Sequence, residues 1–248
     1  MPPPLGELAA VARLDDGARV ADKRNSLRNA LYGLLRREQA IAASPQSLAR
    51  SEVSRILDFA QAAYGDVIGV LVGRDDHLLD TARDGEWSLR DVLRHAIAVE
   101  LRYAAQTDYS AARSDSDPVQ IPPDLLPCDR LSPPELGFGA SRSGGVIELL
   151  QLLGTARASS DARLAKVADS ALTRPSMWGM QLLDVRMRLH QIAVHLTETA
   201  IQIEKIVGSD GELRAIVRRC CITRGLHERW SSAAERASLD ESYRALTA

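Results

Sequence analysis

The sequence predicts an all-α protein built around a four-helix bundle. Aromatic residues make up only 4% of the chain although hydrophobic residues reach 45%. This balance favours helices because strands prefer aromatic and β-branched side chains. Apolar residues recur at intervals of three and four along four long segments, which is the spacing of one helix face. No segment shows the apolar–polar alternation that predicts a strand.

The N-terminal part, residues 1–47, is predicted to be an arm followed by an amphipathic helix. Residues 1–16 show no helical pattern and are interpreted as a loose arm. A helix is predicted over residues 18–43, where one face carries Leu27, Leu31, Leu34 and Leu35. We expect this helix to pack on the bundle as an extra element.

The bundle is predicted to span residues 48–208. Its four helices are expected at 48–72, 87–110, 145–172 and 181–207. The last of them ends at Gly208, a residue type common just after helix C-termini. A segment rich in Pro, Ser, Gly and Asp separates the second helix from the third. This long connection allows a crossover in place of a tight hairpin.

The second bundle helix has a clear start signal in GEWSLRDVLRHAIAVE, residues 85–100. Ser88 can accept a hydrogen bond from the amide three residues later, and Asp91 gives the pattern of a capping box. Trp87 precedes the cap and is predicted to pack on Val92 as a hydrophobic staple. We therefore expect a set of buried residues that comprises Trp87, Val92, Leu189, Ile192 and Leu196.

The C-terminal part, residues 209–248, is predicted to form an Arg-rich tail helix and a loose C-terminus. Cys220 and Cys221 lie side by side in this helix, and Cys128 lies in the long connection. Three cysteines cannot form a closed set of disulfides. We therefore expect free thiols and a cytoplasmic protein.

Charge and hydropathy restrict the partners that the chain can have. The net charge is −2, so no general basic excess points to nucleic acid or to a membrane surface. The Arg run in the tail, RAIVRRCCITRGLHER, is the one feature that suggests nucleic acid, and such a run is usually a solvated helix face. The N-terminus does not have the pattern of a signal peptide, and no apolar stretch is long enough for a transmembrane helix.

Two of the five histidines are predicted to face each other inside the bundle. His95 lies at the edge of the apolar face of the second helix. His195 begins a stripe on the fourth helix that continues through Thr199, Gln202 and Ile206. Metal sites in bundles are built from inward-pointing side chains of facing helices. His95 and His195 are therefore a possible pair of metal ligands, and the alternative is an ordinary hydrogen-bonded core histidine.

The other three histidines are predicted to lie outside this pair. His190 is five residues before His195, so it points roughly 140° away on a regular helix and cannot bind the same ion. His77 in an acidic loop and His227 in the tail are interpreted as solvent-exposed residues. We expect none of the three to contribute to a site in the bundle.

Two stretches of the chain resemble the DinB-like superfamily of bacterial four-helix bundles. Residues 85–100 carry the Trp-Ser helix start and the histidine that follow each other in that superfamily, here Trp87, Ser88 and His95. HLTETAIQIEK, residues 195–205, matches the second motif at His195, Gln202 and Ile203. The resemblance covers residues 50–208 and implies an up-down-down-up bundle.

The resemblance also implies a metal site, which this chain matches only in part. In the superfamily three histidines typically bind a divalent metal such as nickel or zinc, and some members use it to activate a low-molecular-weight thiol. Thr199 stands where the third histidine is expected, and a neutral hydroxyl is a poor ligand for such a metal. Glu198 is a possible substitute. The site is thus empty, weak or completed by Glu198, and we favour empty or weak.

Three function classes follow from the residues and the resemblance. The first is a metal-dependent low-molecular-weight-thiol S-transferase or isomerase. The second is a non-catalytic helical binding or interaction module. The third, a nucleic-acid role, depends only on the tail and is disfavoured by the charge of the rest of the chain. We further expect a homodimer, because the N-terminal helix and the Leu-rich VIELLQLLG of the third helix offer apolar surface.

Overall fold

The computed structural model describes residues 4–14, 21–46, 50–82, 85–128 and 139–247. The helices of these residues are α1 (Leu5–Arg13), α2 (Ala21–Ala42), α3 (Glu52–Leu71), α4 (Leu89–Ala112), α5 (Gly139–Ser143), α6 (Val146–Leu164), α7 (Val185–Val207), α8 (Glu212–Glu228) and α9 (Ala233–Arg244). Two short strands, β1 (Pro175–Trp178) and β2 (Gln181–Asp184), form an antiparallel hairpin before α7. The predicted all-α class is therefore confirmed, apart from this hairpin.

The central helices contact one another in a closed ring. Helix α3 packs against α7, α7 packs against α4, α4 packs against α6, and α6 returns to α3. Their apolar faces belong to one hydrophobic core, which also includes residues of α1, α2, α8 and α9. Among the described residues, no helix has both the length and the apolar character needed to cross a bilayer.

Helix α8, the predicted tail helix, lies directly along α3 because small residues let the two backbones approach. A Cβ atom at Gly65 of α3 would overlap the main-chain carbonyl of Cys221, and one at Gly225 of α8 would overlap the carbonyl of Gln61. Helix α2 covers another side of α8. The tail helix is thus part of the core, while the predicted division at residues 47 and 208 stays a prediction.

Both chain ends contain helices that the sequence interpretation missed. Residues 1–16 were expected to be a loose arm, but Leu8 and Val11 of α1 are buried in the core. The C-terminus was also expected to be loose, yet α9 buries Leu239 and Tyr243. The reason is the same at both ends, since a short amphipathic helix gains its stability from packing on α8 and α2 rather than from its own length.

The hairpin corrects the predicted start of the fourth bundle helix. Residues 181–184 form β2 instead of the first turn of a helix, and Gly179 adopts a positive φ of 56° in the tight turn. Helix α7 begins only at Val185, where the carboxylate of Asp184 accepts a hydrogen bond from the amide of Met187 at 2.8 Å. Helix α6, predicted as the third helix of a bundle, ends at Leu164, earlier than the predicted residue 172.

The structure confirms the predicted start of α4 and all but one of the residues that were predicted to be buried. The Ser88 hydroxyl accepts a hydrogen bond from the amide of Asp91 at 3.2 Å, and α4 begins at the next residue, Leu89. Val92 is buried as expected, and so are Leu189, Ile192 and Leu196. Trp87 is not, since 46% of its surface is exposed. Its ring lies against the imidazole of His95 instead of entering the core.

The Leu-rich segment of the third helix is internal and cannot serve as the dimer surface that the sequence suggested. Leu149, Leu150 and Leu153 of α6 are fully buried in the core of the same chain. Leu31 and Leu34 of α2 are buried in that core as well. The apolar side chains that were expected to contact a second copy are therefore buried by other helices of the same chain.

Candidate functional site

His95 of α4 and His195 of α7 meet where these two helices pack together. Their ring centroids are 5.2 Å apart and the ring planes are inclined by 65°. Both side chains are half-buried. The predicted proximity of the two histidines is thus confirmed, because each lies on the face of its helix that points to the other.

The histidine pair lines a pocket of about 530 Å³, which we call the histidine pocket. Its walls include all four site residues that the sequence predicted, and the full lining is Glu86, Trp87, Val92, His95, Tyr103, Trp178, His195, Glu198, Thr199, Gln202, Lys205 and Ile206. Such a volume is within the range of pockets that hold small organic molecules. The stripe predicted on the fourth helix is therefore the wall of a cavity.

Aromatic rings surround the two imidazoles. The ring of Trp87 meets His95 edge-on with centroids 4.8 Å apart, and Tyr103 meets His195 in the same way at 5.7 Å. The indole N–H of Trp178 donates to the Tyr103 hydroxyl at 3.3 Å. The hairpin thereby contributes a wall to the pocket, together with α4, α7 and the residues just before α4. Trp178 was missed from the sequence because a strand of four residues gives little periodicity to read.

Thr199 lies in the pocket but its hydroxyl proton is already used. The side chain is only 3% exposed, and the hydroxyl donates to the main-chain carbonyl of His195 at 2.8 Å. This hydrogen bond to the residue four positions earlier is a common way for a threonine to be satisfied within a helix. Glu198, the possible substitute ligand, is exposed at the rim of the pocket.

The centroid distance of the two imidazoles is compatible with a shared divalent metal, but the described residues supply no third ligand. Two imidazoles on one tetrahedral zinc, with Zn–N distances of about 2.0–2.1 Å, have centroids roughly 5 Å apart. The 5.2 Å between His95 and His195 agrees with that distance. A catalytic zinc site, however, normally has three protein ligands. In the part of the chain that the structure describes, no group of three His, Cys, Asp or Glu side chains is placed to hold a metal ion. The described residues alone therefore do not form a complete three-ligand site.

Two of the remaining histidines lie where the sequence analysis placed them. His190 faces a separate groove beside α3, which Phe59 and Val194 also line. The side chain of His77 is 73% exposed, and its Nδ1 lies 2.8 Å from a carboxylate oxygen of Asp75. Neither imidazole contributes to the histidine pocket.

His227 was expected to be exposed, and this prediction is wrong. Its side chain is fully buried and pairs with Glu38 of α2. The Tyr243 hydroxyl of α9 donates to the same carboxylate at 3.0 Å, and the guanidinium of Arg224 lies 3.5 Å from it. These groups have no access to solvent, so the cluster fastens α2, α8 and α9 together.

The cysteines are free thiols, as predicted, and the two in α8 are deeply buried. Burial raises the pKa of Cys220 to about 12 and that of Cys221 well above its usual value. Both thiols are therefore protonated at neutral pH and are poor nucleophiles. The helix that carries them has a structural role in this molecule.

The chain was compared with protein families, with curated proteins and with solved structures. No protein-family model matches the chain, and the curated proteins and solved structures that were compared with it contain no match. The fold and the site define the class directly: a helical protein with a half-buried histidine pair in a pocket of small-molecule size.

Proposed function

We propose that this chain is a DinB-like four-helix-bundle protein that binds a small molecule in the histidine pocket and carries only a partial site for a divalent metal. The observation that carries the proposal is the 5.2 Å approach of His95 and His195, the histidines of the two motifs that resemble that superfamily. The closed ring of contacts among α3, α4, α6 and α7 supports the bundle. A DinB-like protein of this kind would be bacterial and cytoplasmic.

A binding role is favoured over catalysis by the donor set. A metal-dependent S-transferase or isomerase would use nickel or zinc to lower the pKa of a low-molecular-weight thiol, so that the thiolate exists at neutral pH. That chemistry needs a firmly held ion with an open position. Of the described residues, two imidazoles, a threonine hydroxyl bonded within its own helix and the exposed Glu198 would supply only a weak site. The thiol-dependent enzyme is accordingly the second candidate.

Calorimetric titration of the metal-free protein with zinc and nickel at neutral pH tests the proposal. We expect weak binding that disappears in His95→Ala and in His195→Ala, because each variant removes one of the two nitrogen ligands. His190→Ala is the matched control, since His190 lies on the same helix but faces another groove. Tight, stoichiometric binding by the wild type would contradict a partial site. If Glu198→Gln abolished that tight binding, Glu198 would complete the ligand set and the enzyme would become the better candidate.

A further inference from the structure

A second pocket adjoins the histidine pocket, and we call it the arginine pocket. Its volume is about 810 Å³, and it shares Tyr103 and Trp178 with the histidine pocket as a common wall. Its lining comprises Val99, Arg102, Tyr103, Gln106, Gln120, Ile121, Pro123, Leu126, Trp178, Gly179, Met180 and Gln181. These residues include one cation, three amides and one phenol but no carboxylate. The polar groups of the pocket therefore include several hydrogen-bond donors and no fixed negative charge.

A buried cation lies directly behind this wall. The guanidinium of Arg188 on α7 is fully buried and sits 4.8 Å from the centroid of the Tyr103 ring. It donates to the side-chain oxygens of Gln191, at 2.5 Å, and of Gln106. Its Nε is buried without a hydrogen-bond partner. Burial lowers the pKa of Arg188 to about 10, so the group is still a cation at neutral pH.

Arg188 differs from the other fully buried arginines in its partners. Arg157 pairs with Glu100, Arg224 lies 2.9 Å from Asp240, and Arg214 lies 3.9 Å from Asp210. Among the described residues, no carboxylate lies within ion-pair distance of Arg188, whose acceptors are neutral amides. A buried charge without a counter-charge is costly, so this cation would be stabilised by an anion bound nearby.

Arg102 brings a second positive charge to the same place. It lines the arginine pocket and donates to the main-chain carbonyl of Cys128 at 2.5 Å. In the described part of the chain, no carboxylate pairs with it either. Gln106 lines the same pocket as Arg102, and its oxygen accepts from Arg188 while its amide N–H groups can act as donors. Arg102 and the Gln106 amide thus belong to a lining without acidic side chains, and the charge of Arg188 lies behind its Tyr103 wall.

We propose that the arginine pocket binds the carboxylate of a small organic acid whose remaining part extends past Tyr103 and Trp178 to the histidine pair. The proposal deepens the proposed function, on which it rests, by naming the class of ligand. The guanidinium of Arg102 would form charge-assisted hydrogen bonds with the carboxylate, and the charge of Arg188 would stabilise it through Gln106. The apolar side chains of Val99, Ile121 and Leu126 would contact the hydrocarbon part of the acid.

Binding of hexanoate to the full-length protein in metal-free buffer tests this proposal, with hexanamide as the uncharged analogue of the same shape. We expect calorimetry to detect hexanoate binding and no comparable binding of hexanamide. Arg102→Gln should weaken hexanoate by roughly tenfold or more, because a hydrogen bond to a charged group contributes about that factor. Arg219→Gln, an exposed arginine on α8, should leave the affinity unchanged. Arg188→Met, where it folds, should weaken hexanoate as well.

Several results would overturn the arginine pocket as a carboxylate site. These are equal binding of hexanamide, equal binding of inorganic phosphate, or an unchanged affinity in Arg102→Gln. Loss of hexanoate binding in His195→Ala but not in Arg102→Gln would place the acid at the histidines, which would contradict the inference while leaving the proposed function intact. These measurements need no metal. A failure of the zinc and nickel titration, which tests the proposed function, can therefore be distinguished from a failure of this inference.

Discussion

At the scale of single residues, Thr199 occupies the position from which a third metal ligand would be expected in the histidine pocket. Its position, one turn after His195, is the one from which a side chain on the same helix face could reach an ion held by that histidine. The threonine hydroxyl instead donates to the backbone of its own helix at 2.8 Å. Thr199 therefore adds no nitrogen ligand to the pair of His95 and His195, whose ring centroids are 5.2 Å apart.

Residue-level expectations succeeded where two independent signals agreed. The approach of His95 and His195 was predictable because helical phase and a two-motif resemblance pointed to the same faces. His227 was misjudged because its burial depends on α2, whose packing on α8 leaves no local mark in the tail sequence. Arg188 is seven residues before His195 and so on the same face of α7. This spacing indicates that Arg188 faces the same way as His195. Its burial was not predicted because an arginine is normally expected to be exposed to solvent.

At the scale of elements, the N-cap of α4 fixes the start of the helix that carries His95. Ser88→Ala removes the acceptor of the Asp91 amide and should lower the free energy of unfolding by about 1 kcal/mol. Ser159→Ala, at an exposed position within α6, is the control and should not destabilise the protein, since alanine is the better helix former. Urea unfolding of both variants measures the difference. Equal stability of Ser88→Ala and wild type would mean that the cap contributes nothing.

The long helices were predictable from the sequence and the short elements were not. Periodicity over some twenty residues located α2, α3, α4 and α7 to within a few residues, because one apolar face must meet a core. Strands of four residues and a helix such as α1 are too short for periodicity to decide. For α9 a usable signal existed, since Ser232 and Glu235 form a capping box in which each side chain accepts from the other's amide.

At the scale of the whole molecule, one exposed apolar surface lies on α3 and α7. Phe59, Val194 and Ile201 are 56%, 64% and 49% exposed and line one groove. Exposed apolar side chains that share a groove often mark an interface. We expect a homodimer through this face. Light scattering should then give twice the 27.0 kDa of one chain, and Val194→Lys should shift the mass toward the monomer. A monomeric mass at high concentration would contradict the expectation.

The arrangement of the whole molecule was only partly predictable. An all-α core followed from composition and periodicity, but the place of α8 against α3 depends on Gly65 and Gly225, whose role is visible only once the two backbones are adjacent. The arginine pocket was likewise not predictable from the sequence. Arg102 and Gln106 come from α4, Gln181 from the hairpin and Arg188 from α7, so no single stretch of sequence contains its pattern.

The central proposal is that the described residues of the histidine pocket form a metal site short of one ligand, and Thr199→His tests it most directly. A histidine one turn after His195 supplies a third nitrogen on the same face. We predict that zinc and nickel affinity, measured by calorimetry at neutral pH, rises at least about tenfold, since changes even outside the ligand shell alter metal affinity by 10–100-fold. Thr199→Gln, of similar size but without an imidazole, should show no gain. An unchanged affinity in a folded Thr199→His variant would contradict the claim and leave His95 and His195 as core histidines.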